Sequence, residues 1–378
     1  MDSVSTRAVL HALFRVSIIL ALLPATTERY FPFHVLTSIV VSALAFLSLS
    51  SAATEKWISV NSSTTKEDKR KAVVSSSTLF RTRALGILAG THLLAVACIC
   101  PSDDPLRHVA IRVLAFFNAA KVLDMAVARA ADPPMRLENG VPIKVEGLKR
   151  RTEYIWLLAS ETRYHSFDIA IHEPGRKAPR DKLWTYGPLA VVPVAIYFFP
   201  RCVGLYVFLG LLVIQMSLEL THTIMHPGCE HPLFWQPLSA RSFGEFWRVH
   251  WHSSAASFLY TLGYKPVRAV ASDYFGKDVS KAGGVLGAFC VSGIWHGWAA
   301  AALSTTPWRT GTLAWAMFMG HGIAVVVENL LPKADGPSWA KRIFGWTIAL
   351  WVAGLWIKDA MPRSNLPLMV RLGEILEG

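Results

Sequence analysis

Of the 378 residues, 52% are hydrophobic and 17% charged, with a mean hydropathy of +0.36; an ordinary water-soluble domain carries about a quarter charged residues. The formal net charge of +12 is concentrated in loops between apolar runs, which points to anionic lipid and sets nucleic-acid binding aside. The five cysteines lie mostly within or beside apolar runs without zinc-site spacing, so neither a disulfide framework nor a bound metal is expected.

Apolar runs near the 20 or so residues that cross a bilayer recur at 8–24, 32–50, 84–101, 107–129, 184–200, 203–224, 284–303, 310–331 and 343–361. The first lacks a clear cleavage site and is expected to be a span, not a removed signal. The fourth is interrupted by Arg112, Lys121 and Asp124 and is either a span or an interfacial helix. Lysines and arginines crowd the segments after the second, fourth, sixth and eighth runs and nearly vanish from the others. With nine spans every basic segment faces the cytosol, leaving the N-terminus cytosolic and the C-terminus lumenal. The expectation is an all-α polytopic membrane protein, with 131–183 and 225–283 as cytosolic or interfacial loops. The sequon Asn61-Ser62-Ser63 then faces the cytosol and is silent.

Three histidine clusters follow in chain order. In ELTHTIMHPGCEHP (219–232), His222 and His226 stand four apart with Glu219, Glu230 and His231 nearby, a possible metal grouping. Membrane di-iron oxidoreductases use several histidine boxes including adjacent His pairs, which this chain lacks, so a capped helix end with interfacial histidines is the preferred reading. In SARSFGEFWRVHWHSS (239–254), Ser242-Phe243-Gly244-Glu245 fits a capping box and predicts a helix running on through His252. On such a helix Arg248 and His252 share a face and His250 lies about 200° from His252. The competing reading is an interfacial aromatic belt with snorkelling arginines. In SGIWHGW (292–298), His296 falls mid-span, where an ionisable side chain faces a cavity or a partner. Ser292, one turn earlier, can hold one ring nitrogen, and Gly293 and Gly297 admit a close neighbour. Packing against another helix is the alternative. His321 and Glu328 share a face of the eighth span and either line the same cavity or make interhelical bonds.

No G-x-S-x-G elbow, P-loop or G-x-G-x-x-G is present, nor a histidine followed by Asp four or five residues on, which closes the routes of soluble acyltransferases. The pair Ser242-Phe243-Gly244-Glu245-Phe246-Trp247-Arg248-Val249-His250-Trp251-His252 and Ser292-Gly293-Ile294-Trp295-His296-Gly297 resembles the membrane-bound O-acyltransferase superfamily, in its wax-synthase-like branch, over about residues 230–300. The chain departs from the plant wax-synthase pattern at Val249-His250, where Arg-Arg often precedes the tryptophan.

That resemblance implies one integral-membrane domain over 1–378, a helix bundle enclosing an acyl-transfer tunnel, expected in the endoplasmic reticulum. It implies acyl-CoA as co-substrate, a hydrophobic alcohol as acceptor, and no bound cofactor. His296 matches the family's catalytic histidine and His252 the second motif position. A neutral imidazole, with an unperturbed pKa of about 6.5, suits a base that takes the alcohol proton. His252 or Arg248 then steadies the thioester oxygen. Trp295 and Trp298 shape the acceptor wall, with Trp247, Trp251 and Ser292 completing the substrate-binding set. Likeness to fungal tailoring enzymes favours acetyl transfer to a terpenoid or meroterpenoid hydroxyl; a long-chain-alcohol fatty-acyltransferase is the runner-up. A transporter would show inverted repeats, and none is evident.

Overall fold

The computed structural model describes residues 31–62, 74–99, 104–169, 191–199, 202–225, 233–234, 240–251, 253–330, 338–364, 370–371 and 373–374. The expected span at 8–24 lies outside them. The described chain is mostly helical and divides into two compact units, Met1–His172 and Glu173–Gly378.

In the first unit, α1 (Phe31–Ser62), α2 (Ser76–Ile99) and α3 (Pro105–Leu123) pack in sequence. Asp104 starts α3 by accepting the Leu106 and Arg107 N–H groups, with Pro105 filling the first helical position, where a missing N–H costs nothing. A buried hydroxyl pair, Ser48 to Thr82 at 2.7 Å, ties α1 to α2. Two of the charges that interrupt the fourth apolar run, Lys121 and Asp124, are satisfied inside this unit. Lys121 Nζ donates to the carbonyls of Glu161 at 2.6 Å and Ala159 at 3.1 Å, and Asp124 accepts from Arg129 Nε at 3.0 Å. A two-residue hairpin, β1 (Leu137–Glu138) and β2 (Val141–Pro142), turns through Asn139 and Gly140, both at positive φ, the pairing such turns require. Helix α4 (Gly147–Ser160) follows and packs on α1.

The second unit comprises a helical stretch at 191–198, then α5 (Val203–Met225), α6 (Lys265–Tyr274), α7 (Lys277–Ala300), α8 (Pro307–Leu330) and α9 (Ser338–Ala360). Helices α7 and α8 form the most extensive pairing, and glycine is the reason. A Cβ on Gly297 would stand 2.5 Å from the Gly311 carbonyl oxygen, and one on Gly293 2.9 Å from the Trp315 ring. Hydrogen at both positions lets the two backbones meet, as the G-x-x-x-G spacing predicts. The turn Leu259–Tyr264 crosses α7 in the same way, through Gly263 and Gly287.

Among the described residues, four helical segments are long and apolar enough to cross a membrane: His34–Ser62, Val203–Ile224, Lys277–Leu303 and Pro307–Leu330. Their outer faces keep large apolar side chains exposed, among them Leu220, Ile294, Ile323 and Leu330, a surface suited to lipid. This is an integral membrane protein. Helices α2, α3 and α9 overlie three other expected spans without being among the four.

Candidate active site

The site begins where Ser242 stops extended chain and starts a helix. Its backbone is extended (φ −148°, ψ 163°) and its hydroxyl accepts the Glu245 N–H at 3.0 Å. Glu245 reaches back one residue beyond the usual capping box, accepting the Arg241 N–H at 2.8 Å. Burial pushes the Glu245 carboxyl up, but that hydrogen bond and the neighbouring His250 ring outweigh it and hold the group below the ordinary carboxyl range. The remaining free N–H groups of this short helix meet α8. Glu328 accepts from Phe243 N–H at 2.9 Å and Gly244 N–H at 2.7 Å, one through each carboxylate oxygen, with the favourable sign for a helix N-terminus.

The expected helix through His252 does not form. After one α-turn at Phe243–Glu245 the chain widens into a π-turn, Phe246–His250, closed by the Trp251 N–H on the Phe246 carbonyl at 2.7 Å. Trp251 is then extended (φ −77°, ψ 163°), so the helix ends there and the shared Arg248–His252 face is lost. The wider turn swings the bulky rings inward. Phe243, Phe246 and Trp247 pack with Val325 of α8 and Trp346 of α9. Arg248 is exposed and His250 is buried, 3.5 Å from Glu245 Oε1. His252 lies outside the described residues.

His296, partly buried on α7, makes its shortest contact through Nδ1, 2.8 Å from the Ser292 backbone carbonyl; the Ser292 hydroxyl is 3.5 Å away. Ser292 does hold the ring, but with its backbone. A carbonyl only accepts, so Nδ1 carries the proton and Nε2 keeps its lone pair. The ring stacks on Phe318 of α8 (centroids 4.1 Å, 28°) and lies 4.8 Å from Trp295. Trp295 is itself buried against Phe258. Trp298 is partly buried on α7, and Trp251 packs on Phe234 and Phe246.

The two sequence motifs meet through Phe318, whose ring centroid is 6.1 Å from that of Trp247. Phe318 escaped the sequence reading, although Phe318, His321, Val325 and Glu328 recur at the three- and four-residue spacing of one helix face. His321 packs on Phe243 and Trp247 (5.4 and 5.5 Å), so both polar residues singled out in the eighth span touch the first motif. In the remaining cluster, Glu219 accepts the Phe234 N–H at 2.7 Å, while His226, Glu230 and His231 lie outside the described residues.

Residues 230–320 match the membrane bound O-acyl transferase family. The matched segment contains both motifs, the α7–α8 glycine contact and Phe318. A stretch of 104 residues is 32% identical to the long-chain-alcohol O-fatty-acyltransferase of Simmondsia chinensis, covering 28% of this chain and 29% of that protein. The chain therefore aligns with under a third of that relative.

Proposed function

We propose that this protein transfers an acyl group from acyl-CoA to the hydroxyl of a hydrophobic alcohol, with His296 as general base. The observation that carries the proposal is the 2.8 Å bond from His296 Nδ1 to the Ser292 carbonyl. It fixes the tautomer in which Nε2 can accept a proton. The alcohol oxygen attacks the thioester carbonyl carbon as Nε2 takes the hydroxyl proton. The tetrahedral intermediate then collapses, the C–S bond breaks, and the leaving CoA sulfur takes that proton from the imidazolium. The ester is formed, the base is regenerated, and no covalent enzyme intermediate is needed.

In this reading His252 or Arg248 steadies the intermediate's oxygen, and Trp247, Trp251, Trp295 and Trp298 wall the acceptor side. The tunnel, the nine spans and residence in the endoplasmic reticulum belong to the same proposal. Acetyl-CoA as donor and a terpenoid or meroterpenoid as acceptor are the preferred pair. A long-chain acyl donor with a fatty alcohol is the second reading, favoured by the name of the Simmondsia relative.

The test supplies membranes carrying wild type, His296→Ala or His252→Ala, at matched expression, with radiolabelled acetyl-CoA or palmitoyl-CoA and a mixed pool of terpenoid and fatty alcohols. Label in the lipid extract identifies the donor. His296→Ala is expected to lower it by about 10²–10⁴-fold, the worth of a positioned base. Label that persists undiminished in His296→Ala sinks the assignment.

A further inference from the structure

Two polar atoms are buried at the junction of the motifs without a hydrogen-bond partner among the described residues: Trp247 Nε1 and His321 Nδ1. His321 is 4% exposed. Leaving such atoms dry is costly, and a native structure holds few of them. Their chemistry is complementary. An indole nitrogen can only donate. His321 Nε2 lies 3.4 Å from the Ala349 carbonyl, which only accepts, so Nε2 carries the ring proton and Nδ1 is left as an acceptor. The two rings are neighbours, with centroids 5.5 Å apart and planes tilted by 40°.

A ketone or ether oxygen would satisfy the tryptophan alone, and an ammonium group the histidine alone. A hydroxyl satisfies both, its oxygen accepting from Trp247 and its proton going to His321. We propose that Trp247 and His321 form a hydroxyl-recognition subsite for the acceptor alcohol.

This subsite is distinct from the reacting position. Phe318 stacks on His296 at 4.1 Å and stands 6.1 Å from both Trp247 and His321, so it is the ring shared by the base and the polar pair. The hydroxyl held there is a second one, separated by about the width of an aromatic ring from the one His296 deprotonates. The acceptor class is thus a hydrophobic diol or polyol, which a simple long-chain alcohol is not. The inference rests on His296 being the base, as proposed above, for its account of which hydroxyl reacts. The recognition pair itself is testable without turnover.

Purified protein in detergent is titrated with tritiated 1-dodecanol and tritiated 1,6-dodecanediol, with micelle uptake subtracted. The comparison is made on wild type, Trp247→Phe and His321→Phe, which each keep an aromatic ring and remove one polar atom. The expected result is a diol affinity at least about tenfold above that of the mono-ol in wild type, since a site built for a hydroxyl penalises its absence. The ratio is expected to fall to about threefold or less in each variant, each having lost one hydrogen bond. Equal affinities in wild type overturn the proposal and leave a buried water as the pair's partner. A diol preference that survives in both variants overturns it as well. The wild-type comparison decides even if a variant fails to fold. Acyl transfer without diol preference sinks this inference alone; diol preference without acyl transfer sinks the proposed function alone.

Discussion

At the scale of single residues, the site is set by which atom of a side chain is already engaged. Ser292 supplies a carbonyl to His296, and Ala349 supplies one to His321. Each contact selects one tautomer and leaves one ring nitrogen as acceptor. The same logic governs the helix start, where Ser242 and Glu245 engage N–H groups that a helix terminus would leave bare. Ser242→Ala is expected to cost about 1 kcal/mol, read as a lowered melting temperature in detergent. Glu245 carries a pH signature. Its folded carboxyl titrates below the ordinary range, so its contribution is present above the unfolded value, about 4.3, and is lost as pH falls through the folded one. Glu245→Gln should therefore melt below wild type at pH 7, with the gap closing in acid. A gap independent of pH would show that the charge does not matter.

At the scale of elements, α7 and α8 work as one piece because glycine removes the side chains between them. Gly297→Ala places a Cβ 2.5 Å from the Gly311 carbonyl, which backbone cannot yield cheaply. Overpacking of this kind costs typically about 1–3 kcal/mol, and here it also moves His296 relative to Phe318. Gly204 on α5 has nothing within 4 Å of its would-be Cβ, so Gly204→Ala is the matched control. The expectation is a clear loss of thermal stability and acyl transfer in Gly297→Ala and near-wild-type behaviour in Gly204→Ala. Equal effects would remove the close crossing as the explanation. The G-x-x-x-G was legible in the sequence, and so was the capped start at Ser242. The end of that helix was not. The apolar and aromatic residues of FWRVHW fit a continuous helix equally well, and only the tertiary structure shows the π-turn, with Phe246 and Trp247 packed against α8 and α9.

At the scale of the whole molecule, two compact units carry different burdens. In the first, Lys121 donates to backbone carbonyls and Asp124 pairs with Arg129, and the second holds both motifs. The distribution of lysine and arginine predicts that the segment beyond α1 faces the cytosol. Asn61 is exposed at the end of that helix, with Nδ2 donating to the Trp57 carbonyl at 2.8 Å. It should remain unglycosylated: protein expressed in eukaryotic cells should show no mobility change on treatment with an endoglycosidase. A shift that disappears in Asn61→Gln would invert the topology.

Sequence alone determined that the chain is helical and lives in a membrane, because hydropathy and charge placement are properties of composition along the chain. It also marked His296, since a histidine inside an apolar run is conspicuous wherever the run folds. Tertiary structure decided what His296 faces. Phe318 is an ordinary residue of a third segment, and although His321 and Glu328 stand out as polar residues on its face, nothing local ties any of the three to SFGEFW some 70 to 85 residues away. That assembly depends on the α7–α8 backbone contact and on two carboxylate hydrogen bonds to Phe243 and Gly244. Such contacts are set by where helices cross, which the period of a single helix cannot specify.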